Sequence, residues 1–127
     1  MTKRATAKPQ ATGADTYRRL ALALPDAVES SHMGSPDFRI NGTIFATLAY
    51  ETKGLGTLKL TPEQQAAFLT EAPELYTPAP GGWGSMGMTL VRLDAPEAVL
   101  AGALSTAFHN VLSKQAARKK PAPKSKR

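Results

Sequence analysis

Apolar residues recur along this chain at two periods, and the switch between them marks its elements. Tyr17, Leu20, Ala21 and Leu24 fall at i, i+3, i+4 and i+7, one stripe of an α-helix. Asp15 stands where an N-cap would accept from the unpaired amides of the first turn, and Pro25 stops the pattern. From Val28 onward the period becomes two. Residues 28–33 and 37–40 read as strands joined by a turn at Gly34-Ser35-Pro36. Asn41-Gly42 is a hairpin signal, because a two-residue type I′ turn needs positive φ at both positions. Residues 43–50 form the return strand, with Ile44, Ala46 and Leu48 on one face and Phe45, Thr47 and Ala49 on the other. A turn over 51–56 leads to a fourth strand at 57–60, which completes an antiparallel meander.

The second half returns to helical spacing. Thr61-Pro62-Glu63-Gln64 combines a cap, a proline suited to the first helical position and a glutamine able to complete a capping box. Phe68, Leu69 and Ala72 give that helix its buried side, and Pro73 ends it. Residues 75–79 suit an edge strand, where prolines are tolerated. The run Pro80-Gly81-Gly82-Trp83-Gly84-Ser85-Met86-Gly87 predicts a loop of specified shape. Its tryptophan either plugs the core or offers a flat surface to a partner. A strand at 88–93 follows, then a long helix capped by Asp94 with Pro96 near its start. Leu100, Leu104, Ala107, Phe108 and Val111 form the stripe of that helix. The expected fold is α+β: a single antiparallel sheet of about five to six strands with helices packed on one face. The domain spans 14–113, between a flexible basic arm at 1–13 and a basic tail at 114–127. The lysine, proline, serine and alanine of the tail's end cannot bury enough surface to offset their ordering entropy, so disorder is expected there.

Charge changes the picture only once it is located. The net charge is +6, yet residues 14–113 hold six basic and ten acidic residues. The excess sits in Lys3, Arg4 and Lys8 and in the seven basic residues after Ser113. A basic core surface is therefore not implied, whereas the tail is a credible electrostatic tether for DNA, RNA or another anionic surface. The chain has no cysteine, which excludes disulfides, thiolate metal sites and thiol nucleophiles. No apolar run approaches a membrane span and the first residues lack a secretory pattern, so a cytoplasmic protein without membrane partners is expected.

Strand alternation puts Arg39, Lys59 and Arg92 on the face away from the helices. With Trp83 and the tail residues Lys114, Arg118, Lys119 and Lys120 they are the candidate nucleic-acid-binding residues. The alternative class is a small-ligand or protein interaction module with a pocket among His32, Asp37, Arg39 and Trp83. His32, close to Glu29, Ser30, Ser31 and Asp37, is the one histidine placed for acid–base work. The plainer reading is a hydrogen-bonded structural histidine on a strand, and His109 reads as a helix-surface residue. No nucleophile elbow, phosphate loop or paired-histidine zinc motif is present, and no catalytic residue is assigned. Arg18 and Arg19 lie off the apolar stripe and read as a solvated helix face.

The segments Leu22-Ala23-Leu24-Pro25, Glu29-Ser30-Ser31-His32-Met33-Gly34, Pro36 through Ala46, Leu58 through Gln65 and Pro80-Gly81-Gly82-Trp83-Gly84 together resemble the MmcQ/YjbR family. The resemblance covers about residues 14–113 and implies a YjbR-like fold, similar in layout to the bacterial frataxin CyaY. It also implies DNA binding through a proposed "double wing" surface. The chain departs from the family at Met88, where relatives often carry a second aromatic, and at Ser85 and Met86, where they often carry basic residues. The frataxin likeness suggests iron, but Asp15 stands beside Arg18 and Arg19 with no acidic ridge, so no metal or cofactor is expected. A monomer that binds DNA or RNA without reading sequence is the expected form.

Overall fold

The computed structural model describes residues 13–119 of the 127. The N-terminal arm up to residue 12, and the tail from Lys120 on, lie outside the described residues. In chain order the elements are α1 (Gly13–Leu22), β1 (Val28–His32), β2 (Ser35–Ile40), β3 (Thr43–Thr47), a 3₁₀ turn (Glu51–Lys53) and β4 (Leu55–Lys59). Then come α2 (Pro62–Glu71), β5 (Tyr76–Pro78), α3 (Gly81–Ser85), β6 (Met88–Arg92) and α4 (Glu97–Lys119). The strands form one six-stranded sheet in the order β1-β2-β3-β4-β6-β5, with every pairing antiparallel.

Local chemistry explains most of these boundaries. The Thr61 hydroxyl accepts from the Gln64 amide, and the Gln64 side chain accepts from the Thr61 amide, so the capping box at the start of α2 is complete. Asn41 and Gly42 turn β2 into β3 with φ of 52° and 85°. β5, with Pro78, takes an edge and pairs only with β6.

Several expectations are corrected. α1 begins at Gly13, two residues before Asp15, which lies inside the first turn rather than at the cap. Gly13 lies against the Leu93 backbone so closely that a Cβ would meet the Leu93 carbonyl oxygen at 2.3 Å. The first hairpin turns at Met33-Gly34, with φ of 55° and 83°, and Pro36 lies within β2 rather than in the turn. β4 starts at Leu55, earlier than the sequence pattern indicates. The alternation expected in β3 fails at a bulge. Phe38 is paired with Ala46 but Arg39 with Ile44, which leaves Phe45 as the extra residue. Ile44 and Thr47 therefore share a face, and Phe45 joins Ala46 in the core. Finally, α4 continues through Lys119, past the change in composition at Ser113. Gln115 anchors this extension by donating to the Ile40 carbonyl and the Thr43 hydroxyl.

Helices α1, α2 and α4 lie on one face. Tyr17 of α1 packs edge-on against Phe38, Phe108 of α4 packs edge-on against Phe45 with ring centroids 5.4 Å apart, and Phe68 of α2 meets Tyr76. Each such ring pair adds about 0.5–1.5 kcal/mol beyond its buried area. Leu58, Val91, Leu100 and Leu104 fill the layer between. The Tyr17 hydroxyl donates to the Thr57 carbonyl, and burial of the phenol raises its pKa well above the usual tyrosine value. The opposite face of the sheet carries the candidate site.

Candidate functional site

Two rows of side chains cross the helix-free face. The first runs Asp37, Thr47, Thr57 and Leu90, opposite one another in register and all buried. The Thr47 and Thr57 hydroxyls are hydrogen-bonded to each other. Asp37 is only 1 % exposed. It is held by Arg39, whose Nε and Nη2 donate to its two carboxylate oxygens at 2.8 and 3.1 Å. The hydrogen bond to Asp37 raises the Arg39 guanidinium above its ordinary pKa. The second row holds Arg39 opposite Ile44, and Lys59 opposite Met88.

At the Lys59 end of these rows stands α3. The glycine-rich run forms this short helix rather than a loop. Its seat is specific. Gly84 is buried, and a Cβ there would lie 2.0 Å from the Ala79 carbonyl oxygen. From α2, the Gln65 side-chain amide donates to the carbonyls of Gly84 and Met88 and to the Thr89 hydroxyl. Pinned on that side, α3 turns Trp83 outward. The indole is 50 % exposed, so it is no core plug. Gln65 was not singled out by the sequence, because its partners lie 19 to 24 residues away.

Trp83, Lys59 and Met88 are walls common to two cavities. One, of about 490 Å³, lies over the sheet and is closed by His32, Met33, Ile44 and Ala49, with Asp37 also on its wall. The other, of about 470 Å³, lies toward α4 and takes in Met86, Asn110 and Lys114. Met33 and Met86 are 90 % and 75 % exposed, large apolar groups left in water beside the tryptophan. Clustered exposed apolar surface of this kind marks interaction sites.

The candidate residues thus fall into two sets. His32, Asp37, Lys59 and Trp83 meet at the first cavity, and Lys114 joins Lys59 and Trp83 at the second. Arg39 adjoins this group through Asp37 without lining either cavity. His32 departs from the structural-histidine reading: it is exposed on the edge strand. Arg92 departs from the cluster. It shares the face, but it pairs with Leu55, at the opposite end of β4 from Lys59, about 13 Å away along the strand. There it donates to Asp94 at 2.6 Å, which lowers the Asp94 pKa, and it lines a separate polar cavity with Glu74 and Lys53. Arg118 and Lys119 follow on α4, and Lys120 lies outside the described residues. His109 is exposed on α4, its Nδ1 2.8 Å from the Ser105 carbonyl. Among the described residues, no cluster of three or more His, Cys, Asp or Glu side chains is placed to hold a metal ion. No helix there is long and apolar enough to cross a membrane.

The family model YjbR matches residues 22–110, which span β1 to β6 and most of α4. The chain belongs to the YjbR family. Among solved structures, this YjbR chain is similar to the Deinococcus radiodurans protein DR2400, a DUF419 domain. The TM-score is 0.66 at 20% identity, covering 94% of this chain and 87% of that one. At that identity the likeness concerns the fold, and it agrees with the α+β architecture described above. Among curated proteins no match was found.

Proposed function

We propose that this YjbR protein is a cytoplasmic nucleic-acid-binding module, not an enzyme, and that it holds its target without reading sequence. The observation that carries the reading is the meeting of Trp83, Lys59 and Lys114 around one pair of cavities. A half-exposed indole can stack on a base, worth about 1–3 kcal/mol per base, and does so whatever the base. Lys114 lies where α4 leads into the basic C-terminal stretch, so cations continue from the stacking surface along the chain. Each phosphate they neutralise adds a salt-dependent contribution.

Fluorescence anisotropy of a labelled oligonucleotide at two salt concentrations tests this, with the full chain, Trp83→Ala and Lys114→Ala. Binding that weakens steeply with salt, and weakens again in both variants, is the expected result. Unchanged affinity in both variants would remove the site from the account. A second reading is favoured by the apolar walls of the sheet-face cavity, whose size falls within the ~300–1,000 Å³ common for small-molecule sites. A small apolar ligand there would bind with little dependence on salt.

A further inference from the structure

Within the nucleic-acid reading, on which this step rests, we propose that the ligand is a single strand held as a two-nucleotide step. One base occupies each cavity, and the Trp83 indole stands between them. Three observations lead there. First, the two cavities are nearly equal in volume, about 490 and 470 Å³, and Trp83 is a wall of both. Their other walls are largely thioether and aliphatic: Met33 and Ile44 in one, Met86 in the other, Met88 in both. Such walls suit the flat faces of unstacked bases, which a duplex keeps covered. Methionine also adapts its shape to what it packs against.

Second, the cation common to both cavities is Lys59, where the phosphate joining two such bases would pass. Lys114 lines the second cavity alone and suits the next phosphate along the strand. Third, the amide and carboxylate groups of the walls are already engaged in holding the fold. Asn110 donates to the Lys59 carbonyl and to Gln64, and Gln115 donates to Ile40 and Thr43. Both Asp37 oxygens accept from Arg39. Amides and carboxylates so engaged do not present the bidentate forks that distinguish one base from another. α3, five residues long with three glycines, presents no recognition helix to a duplex groove.

The chain has a single tryptophan, so its emission reports on this site alone. Quenching titrations would use thymidine monophosphate, the dithymidylate and tetrathymidylate strands, and a decathymidylate both free and paired with its complement. The expected result is a gain of about tenfold or more from mononucleotide to dinucleotide, a smaller gain from dinucleotide to tetranucleotide, and a free strand bound about tenfold or more tighter than the duplex. Anisotropy with Trp83→Phe should keep most of the strand preference and Trp83→Ala should lose it. Equal binding of strand and duplex, or binding without quenching, overturns the two-nucleotide site while leaving the nucleic-acid reading in place. No binding of any probe, in anisotropy as in fluorescence, overturns both.

Discussion

Replacing Gly84 by alanine sets two effects of opposite sign against each other. Alanine favours a helix over glycine by up to about 1 kcal/mol, so propensity alone predicts a more stable α3. Sterics predict the reverse. The new Cβ would lie 2.0 Å from the Ala79 carbonyl oxygen, and real Cβ contacts essentially never fall below 3.0 Å. Backbone is on both sides of the contact, so relief requires α3 to move off Ala79, the residue after β5, by roughly 1 Å, straining the Gln65 hydrogen bond to Gly84. Overpacking of this kind costs about 1–3 kcal/mol. Steric cost therefore outweighs propensity over most of that range, with a net loss of up to about 2 kcal/mol and a fall in Tm of up to roughly 10 °C for a domain this size. Gly82→Ala is the matched control: a Cβ there meets nothing within 4 Å, so the same exchange should be neutral or stabilising. Thermal and urea unfolding followed by circular dichroism, with Trp83 emission as a second probe, would measure both. If Gly84→Ala proved as stable as Gly82→Ala, the Ala79 contact would not be what seats α3.

Further outcomes follow from the same geometry. Thr57→Val removes a buried hydroxyl bonded to Thr47 without changing side-chain size much, and should cost about 1 kcal/mol in urea unfolding. Tyr17 has its pKa raised by burial, so the folded state favours the neutral phenol. Stability is then intact below tyrosine's ordinary 10.0 and falls as pH rises beyond it; Tyr17→Phe should flatten that alkaline loss. Arg39→Ala leaves the buried Asp37 carboxylate without its two donors, so it should lower the urea midpoint and cannot be read as a clean binding variant. Arg92→Ala should leave oligonucleotide affinity within twofold of the parent chain in anisotropy, about the scatter of an uninvolved surface residue, because Arg92 lies in another cavity beside Asp94 and Glu74.

Much of the fold was legible because its signals are local. The Asn41-Gly42 turn, the Thr61–Gln64 capping box and the edge position of the proline-bearing strand each depend on residues a few places apart. What escaped depends on contacts between distant segments. Met33 adopts a positive φ that its side chain does not advertise, because the pairing of His32 with Ser35 imposes a two-residue turn. The bulge that brings Phe45 inward is a property of how β2 pairs with β3. α4 outruns its apolar stripe because Gln115 finds partners some seventy residues away. The site divides in the same way. Alternation sufficed to put Arg39, Lys59 and Arg92 on one face. Which of them gather around Trp83 depends on where each falls in the sheet: Lys59 lines both cavities, Arg39 reaches the site only through Asp37, and Arg92 stands at the far end of β4.

The most direct test is amide chemical-shift mapping of the ¹⁵N-labelled chain titrated with tetrathymidylate. The account predicts shifts centred on Ile44, Lys59, Trp83 with its indole N–H, Met86 and Met88, fading toward Arg92. Shifts confined to residues beyond Lys114, or centred on the Arg92–Asp94 cavity, would contradict it.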